Sequence, residues 1–286
     1  MKITIAKQTL FCITVLLGLQ SFGQEQEALK YTASNKGKFS VSWGGNRASF
    51  SKSNIDFKGS DYNFRLLNVK AHDKPKGWHI DYINPERLTI PQTNFKIGYF
   101  ISDHYKIAIG LDHMKYVVSQ LQTVHINGNI NLNATDAGAI YNGMYTDDTI
   151  FINEDFLLFE HTDGLNYVYL DVSRFDDISS IFNIRNTDKF QLNLTEGIGG
   201  GFLLPKTNTT LMQKDRYDEF HLSGYGVSLN AGLNLTFFKH FFMQLNMKGG
   251  FINMPNIKTT NSKADSASQH FFFLERVIEF GGIFNI

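Results

Sequence analysis

The sequence has almost no cysteine and little proline. Its 286 residues include one Cys and five Pro, against 24 Gly, 26 Phe and 12 Tyr. Cys12 lies in an N-terminal apolar stretch that we predict is removed, so the mature chain would have no disulfide and no thiolate to bind a metal. Stability must then come from backbone pairing and packing, and the aromatic and glycine content favours strands over helices.

Neither sign of charge is in excess. Lys and Arg together number 27, as do Asp and Glu, and no basic cluster stands out along the chain. Binding to nucleic acid relies on such a cluster, so we predict no nucleic-acid partner. No Walker-type phosphate loop is present, and the GIGGG stretch at 197–201 lies in a strand pattern without a following helix. We therefore expect no cofactor.

Long hydrophobic runs are missing after the N-terminus. Residues 1–23 carry two lysines, an apolar run over 9–19 and small residues at the end, which predicts a signal peptide cleaved after Gly23. The alternative is a buried N-terminal helix. Beyond this segment no apolar run approaches the ~20 residues that a transmembrane helix needs, whereas a membrane-spanning barrel strand needs only ~9–11 alternating residues.

What the chain has instead is alternation. Eight segments place apolar side chains at every second position, with small or polar side chains between them. They are Lys38–Phe50, Asn94–Ile101, Tyr105–Val118, Leu165–Phe175, Lys189–Leu204, Asp218–Phe237, Phe241–Asn253 and Gln269–Ile286. Most strands of soluble proteins have ~5–6 residues, so these segments predict unusually long strands, each with one apolar face.

The connections between the segments alternate in length. The short ones are Ser102–His104, Asp176–Asp188 and Phe238–His240, and the long ones are Ser51–Gln92, Gln120–Gly164, Pro205–Tyr217 and Met254–Ser268. Short periplasmic turns and long extracellular loops around an even number of strands are typical of an outer-membrane barrel. Asp61–Val69 and Thr149–Phe159 also alternate, and they predict either hairpins beyond the membrane or extra strands of a ten-stranded barrel.

The composition of the two faces predicts which one meets water. The polar faces consist mainly of Gly, Ser, Asn, Thr and Gln, which suit a narrow lumen, and the apolar faces would then point toward lipid. We predict an all-β fold, a single antiparallel up-and-down transmembrane barrel of eight strands over 38–286, after a short periplasmic segment over 24–37. The alternative is a secreted, soluble lipocalin-like or sandwich binding protein.

Several stretches resemble a known family. The N-terminal segment ending in FGQE, the hairpin YFISDHYKIAIGLDHMKY, the segments FEHTDGLNY and LTEGIGGG, and the aromatic C-terminal strand look like the small outer-membrane β-barrel proteins of Bacteroidota-type bacteria. The resemblance covers essentially the mature chain, and its motifs are architectural. It implies an outer-membrane location, surrounded by lipid and lipopolysaccharide, and leaves the biochemical function largely undefined.

Charged residues in the strands are candidates for a lumenal network. An eight-stranded barrel fills its interior with side chains, so we expect no open pore. The candidates are Lys96, Asp112, Glu196, Lys248, Glu275 and Arg276. We predict that they form buried ion pairs that hold the barrel rigid. A proton or ion path through them is the alternative.

The sixth segment contains a candidate catalytic group. If it is one continuous strand, Glu219, His221 and Ser223 share its apolar face near a long loop. A base beside a hydroxyl, oriented by a carboxylate, activates a nucleophile. The H-x-S element also resembles that of the PagL-type lipid A deacylases, which implies His221 as base and Ser223 as nucleophile. Gly224 stands where that family has Asn, and Leu235 where it has Glu. The competing interpretation is a polar edge of the lipid-facing band.

Further acidic and imidazole side chains fall at the long-loop ends of the strands. They are His113, Glu160, His161, Asp163, Asp218 and His270. Such groups bind divalent cations or, with loop lysines, the phosphates of lipopolysaccharide, but none of the spacings is a metal signature. We predict a solvated polar rim without a metal. The predicted function is structural or surface binding, with an unknown surface ligand or envelope protein as partner, and a lipid A-modifying hydrolase is the alternative.

Overall fold

The structure is a computed structural model that describes residues 35–75 and 92–285. The predicted signal peptide and most of the segment predicted over 24–37 lie outside the described residues. The strands are β1 Phe39–Phe50, β2 Ser53–Lys58, β3 Tyr62–Val69, β4 Ala71–His72, β5 Thr93–Phe100, β6 Tyr105–Val118, β7 Gln122–Ile130, β8 Gly143–Ile152, β9 Leu157–Asp177, β10 Phe190–Leu203, β11 Asn208–Leu211, β12 Gly224–Phe237, β13 Phe241–Lys258 and β14 Ser266–Phe284. Short 3-10 helices span Ala137–Tyr141 and Ser179–Phe182. Within the described ranges, no helix has the length and apolar character needed to cross a membrane.

Eight of these strands close into a ring. Neighbours pair antiparallel in the order β1, β5, β6, β9, β10, β12, β13, β14, and β14 pairs back to β1. These are the eight strands predicted from alternation, so the eight-stranded barrel is confirmed and the ten-stranded alternative is wrong. Following paired residues around the ring from Phe39 leads back to β1 at Ser49, ten residues further along. In a barrel of eight strands, a stagger of this size corresponds to strands tilted by about 40° from the barrel axis.

The connections at the two ends of the ring differ in length as predicted. Residues 101–104, 178–189 and 238–240 join barrel strands at one end, and residues 51–92, 119–156, 204–223 and 259–265 join them at the other. We call these the short-turn end and the long-loop end. Because the ring is closed, its strands have no unpaired edge along most of their length.

The long loops fold into strands of their own. β2 pairs with β14 near its start, and β3, β7 and β8 follow in turn. Elsewhere β11 pairs with β9, and β4 pairs with β6. We call these six strands the cap. The alternation at Asp61–Val69 corresponds to β3 of the cap, whereas Thr149–Phe159 is divided between the end of β8 and the start of β9.

Inward-facing side chains fill the barrel in three layers. At the short-turn end, Phe100, Phe175, Phe242 and Ile283 form a small apolar cluster. The middle layer is polar and contains buried Lys, Asp, Glu, Asn and Gln side chains. At the long-loop end a large apolar core continues under the cap. It includes Phe57, Leu66, Phe159, Leu165, Tyr167, Ile252 and Phe271. Apolar side chains therefore fill both ends of the lumen.

The outward face of the ring is apolar. Trp43, Ile109, Ile198, Leu229 and Phe280 come from five different strands, and each is between 59 % and 65 % exposed. The small polar residues between them, including many glycines, face inward, as the strand alternation requires. The prediction that the apolar faces point outward and the small polar faces point into the lumen is therefore confirmed. An exposed apolar surface of this extent marks a site of contact with lipid or protein.

Candidate functional sites: the lumen and the long-loop end

A buried ion pair spans the lumen. Lys248 of β13 contacts Asp112 of β6, and these strands are on opposite sides of the ring. Asp112 Oδ1 also accepts hydrogen bonds from Tyr169 Oη at 3.0 Å and from Asn94 Nδ2 at 2.5 Å. The Lys248 ammonium lies 3.6 Å from the centroid of the Tyr169 ring. This group of side chains ties four strands together through the barrel interior.

A second ion pair is nearer the short-turn end. Lys96 Nζ of β5 lies 3.2 Å from Glu279 Oε2 of β14, and Asn246 Nδ2 donates to the same oxygen at 3.4 Å. On the other side of the lumen, Asp171 accepts a hydrogen bond from Asn230 Nδ2 at 2.9 Å. Burying a charge is costly unless it is paired and hydrogen-bonded. The Lys96–Glu279 pair and the hydrogen bonds to Glu279 and Asp171 offset part of that cost.

Four of the six residues predicted for the lumenal network are buried in the lumen: Lys96, Asp112, Lys248 and Glu275. The other two, Glu196 and Arg276, point outward, and their predicted lumenal position is wrong. Side chains alternate along a strand. Because the inward positions of β10 and β14 have odd numbers, these two even-numbered residues must face outward.

Sequence reasoning missed three members of the polar layer: Asp171, Glu279 and Lys106. All three are buried. Lys106 Nζ lies 4.8 Å from the centroid of the Phe175 ring and 5.7 Å from that of Phe100, so it contacts the apolar cluster from above. Alternation could have found them, because each occupies an inward position of a correctly predicted strand.

Glu275 and Glu279 are members of the layer with incomplete hydrogen bonding, since Glu279 Oε1 has no partner among the described residues. Glu275 is the more extreme case. It is fully buried and directly opposite Lys248 in the register of β13 and β14. Neither of its carboxylate oxygens accepts a hydrogen bond from a described N–H or hydroxyl donor, and its carboxyl group lies against that of Asp112. Lys248 is therefore the neighbouring cation of two carboxyl groups, those of Asp112 and Glu275, and it contacts Asp112 directly.

The candidate catalytic residues precede β12 instead of lying on it. β12 begins at Gly224, so the prediction of one strand from Asp218 is wrong. The preceding segment makes isolated bridges to residues 206 and 209. At Gly224 the backbones are in close contact, because a Cβ atom there would lie 2.0 Å from Asn253 O. Alternation also changes phase here. Before Gly224 the even-numbered Leu222 is 58 % exposed and the odd-numbered Ser223 only 2 %, whereas in β12 the even-numbered residues face inward.

The Ser223 hydroxyl is not held by an imidazole. Ser223 Oγ donates to the carbonyl oxygen of His221 at 3.2 Å, and His221 Nε2 lies 3.2 Å from Asn256 Nδ2. Glu219 is exposed, and the described residues show no hydrogen bond from it to His221. Partial burial, and then the charge of Lys258, lower the pKa of His221. This geometry gives no support to a nucleophile and base at this position.

The predicted rim residues are dispersed over the long-loop end. Three form surface ion pairs: Glu160 with Lys74 at 3.1 Å, Asp163 with Lys206 at 3.4 Å, and Asp218 with Arg216 at 3.3 Å. His113 is buried, with Nδ1 at 2.8 Å from Asn166 Oδ1, whereas His270 is exposed. In the part of the chain that the structure describes, no three His, Asp or Glu side chains are placed to hold a metal ion.

His161 is a core residue and not a rim residue. Its Nδ1 lies 2.9 Å from Thr207 Oγ1, and its Nε2 lies 3.1 Å from Gln269 Nε2. An amide nitrogen can only donate, so Nε2 accepts and Nδ1 carries the proton. Burial lowers the pKa of His161 to about 3. The ring packs against Tyr116 and Phe159, and the neutral imidazole is part of the core under the cap.

A polar cavity of about 430 Å³ opens beside the cap, a size suited to a small ligand. Three loop segments line it, within 132–138, 212–215 and 260–265. Lys214 Nζ lies 3.1 Å from Asp61 Oδ1 and 3.6 Å from Asp265 Oδ2. Sequence reasoning missed this cavity because its walls come from loops that are distant in the chain and show no shared pattern.

Comparisons with solved structures find outer-membrane β-barrels at low similarity. The structure is similar to OprG from Pseudomonas aeruginosa (9 % identity, 88 % of this chain and 98 % of that chain, TM-score 0.42). It is also similar to the N-terminal β-barrel domain of OprF from the same organism (10 %, 88 % and 100 %, 0.31) and to Ail of Yersinia pestis (10 %, 85 % and 99 %, 0.27). No protein-family model and no curated protein matches the sequence.

At these identities and TM-scores the likenesses carry no argument about function. The barrel assignment rests on the strand pairing described above. Nothing in the comparisons shows a Bacteroidota-type family or a PagL-type deacylase, so both resemblances stay predictions from the sequence.

Proposed function

We propose that this chain is an outer-membrane β-barrel that displays a folded β-sheet cap at the cell surface and has no open pore. The observation that carries the proposal is the closed eight-stranded ring with an apolar outward face. Hydrocarbon offers no partners to backbone polar groups, so a spanning sheet must close on itself. A soluble lipocalin-like barrel would instead turn its apolar side chains inward, away from water.

Membrane insertion assigns one end of the barrel to the periplasm and the other to the outside of the cell. Barrels of this class have short turns in the periplasm and long loops outside the cell. The cap is then extracellular, and lipid and lipopolysaccharide surround the apolar band. Export would depend on the signal peptide predicted over 1–23.

The packing of the lumen supports a role without diffusion through the barrel. Phe100, Phe175 and Phe242 fill the short-turn end, and the Lys248–Asp112 pair spans the middle. Under the cap, the apolar core fills the long-loop end. An eight-stranded ring is only wide enough for its own side chains. The barrel therefore serves as an anchor, and ligands from outside the membrane bind on the cap.

The cap supports the finer part of the proposal, a surface-binding role. It is a paired sheet, packed on an apolar core that it shares with the barrel strands, and not a set of irregular loops. A rigid scaffold of this kind positions loops for binding. The cavity beside Lys214 has a volume and a polar lining that suit a small polar ligand.

Membrane fractionation and gel migration test the proposal. Expressed with its signal peptide in a Gram-negative host, the chain should be found in the outer-membrane fraction and migrate differently on a gel with and without heating. A predominantly soluble pool would overturn the membrane barrel. In planar bilayers the purified protein should give no unitary conductance, and stable conductance steps would contradict the closed lumen.

A further inference from the structure

Two cross-strand pairs of charged residues lie on the outward face of the ring. Arg174 of β9 is directly opposite Glu196 of β10, and Arg47 of β1 is directly opposite Arg276 of β14. All four side chains are exposed. Residues directly opposite on one face have Cβ atoms about 4.5–5.5 Å apart, so opposite charges stabilise the pairing and like charges oppose it. The first pair brings opposite charges together, and Arg174 is further compensated by an ion pair with Asp176 at 2.8 Å. The second pair brings two like charges together.

The described acidic residues offset only part of the charge of the arginine pair. No ion pair joins Arg47 or Arg276 to a described Asp or Glu, and Arg47 Nη1 donates to the backbone oxygen of Asn46 at 2.9 Å. Asp73 is close enough to feel the charge of Arg47. Its carboxylate already accepts hydrogen bonds from Ala48 N at 3.0 Å and from a glutamine amide. Among residues 35–75 and 92–285, at least one positive charge of the pair therefore has no counter-charge.

The pair lies within the outward apolar face, toward the long-loop end of the ring. Along β14, Arg276 lies between the outward side chains of Leu274 and Ile278, which are 46 % and 49 % exposed. Along β1, the next outward position after Arg47 is Ser49, close to the end of that strand. Arg47 is thus near the long-loop end of the apolar band, where arginine side chains can extend along apolar surface toward the headgroups.

We propose that Arg47 and Arg276 together bind the phosphate group of a lipid in the leaflet on the cap side. Two guanidinium groups offer paired donors to phosphate oxygens, a geometry for which arginine is suited. The phosphate removes the repulsion between the two charges, while Leu274 and Ile278 contact the acyl chains. This inference rests on the membrane insertion proposed above.

Lipid retention by the purified protein tests the inference. The full chain is purified in uncharged maltoside micelles, lipid A or phosphatidylglycerol is added, and bound lipids are counted by native mass spectrometry. Wild type should retain one phosphorylated lipid, with an affinity at least about tenfold above that of Arg47→Gln/Arg276→Gln. The matched control, Arg174→Gln/Glu196→Gln, removes the compensated pair and should behave as wild type.

A charge reversal keeps the test decisive if the double variant folds poorly. Arg276→Glu gives Arg47 an opposite charge across the strands, so the barrel should fold and migrate as wild type while the phosphorylated lipid is lost. Retention of lipid A alone assigns the site to its phosphates, and retention of both lipids assigns it to lipid phosphate in general. Equal retention by wild type and Arg276→Glu would overturn the inference. The membrane proposal is judged separately by fractionation, which does not depend on lipid counts.

Discussion

Lys248 and Asp112 form an ion pair across the full width of the lumen, although they are 136 residues apart in the chain. The two strands that carry them are four steps apart in the eight-stranded ring. A contact of this kind links opposite walls of the barrel, which the strand ladders cannot do. It also places one ammonium group between two buried carboxyl groups, because Glu275 is opposite Lys248 on the neighbouring strand.

Replacing Lys248 with Met should strongly destabilise the barrel. Met fills a similar volume but leaves Asp112 and Glu275 without their cation, and removing one partner of a buried pair costs about 3–5 kcal/mol. Adding Asp112→Asn should recover much of this loss. Urea unfolding, followed by loss of the heat-modifiable band, measures both variants. A single variant as stable as wild type would show that the pair is dispensable.

Acid should loosen the cap through His161. Its pKa is about 3 in the folded protein and about 6.5 when unfolded, so the unfolded state takes up a proton that the folded core excludes. The contribution of the neutral imidazole is complete above pH ~6.5 and is lost as the pH falls toward ~3, by up to about 5 kcal/mol. Hydrogen exchange of β2 and β3 at pH 7 and pH 4 measures the loss.

Two variants show whether His161 is the group responsible for this acid sensitivity. His161→Gln removes the titrating group and should flatten the pH dependence. His270→Gln alters an exposed imidazole and should leave the dependence as in wild type. The same steep loss of protection in His161→Gln would assign the acid sensitivity to other groups.

Adjacent glycines in β10 should respond differently to alanine. A Cβ atom at Gly201 would lie 1.9 Å from Val168 O, so β9 and β10 would have to separate, at a cost of about 1–3 kcal/mol. At Gly200 the nearest atom is Gly226 O at 4.0 Å, and Gly200→Ala should be neutral. The fraction of heat-modifiable protein after refolding compares them. Equal yields would mean that the strands adjust at Gly201 without cost.

Ser223→Ala should leave lipid A chemistry unchanged. The hydroxyl is buried and donates to a backbone carbonyl, so it is not activated by His221. Mass spectra of lipid A from cells that express wild type or Ser223→Ala should therefore coincide. A difference in acylation between the two strains would bring back the hydrolase hypothesis.

Much of the fold could be predicted because its signals are local. A barrel strand shows its two faces in the alternation of its own residues, and the ends of the barrel are distinguished by loop length. The same alternation assigns Glu196 and Arg276 outward and Asp171 and Glu279 inward, so applying it strictly would have corrected the lumenal set. The start of β12 was harder to predict from the sequence, because the change in alternation at Gly224 depends on the contact of Gly224 with Asn253.

The geometry of the candidate sites depends on contacts between residues distant in the chain, which no local sequence pattern shows. The cavity beside Lys214, the core position of His161 and the missing contact between Ser223 Oγ and the His221 imidazole all arise from loops that meet in the cap. A titratable residue at the end of a strand predicts a polar rim. Whether that residue is buried depends on what folds over it.

Long strands with one apolar and one small polar face follow from the amino-acid sequence alone, because side-chain alternation is a property of each strand. The tertiary structure was needed to choose the eight-stranded ring over the ten-stranded alternative, and to show that Lys248 contacts Asp112 and that Arg47 is directly opposite Arg276. These relationships depend on register and stagger, which are fixed by closure of the whole ring and not by any single strand.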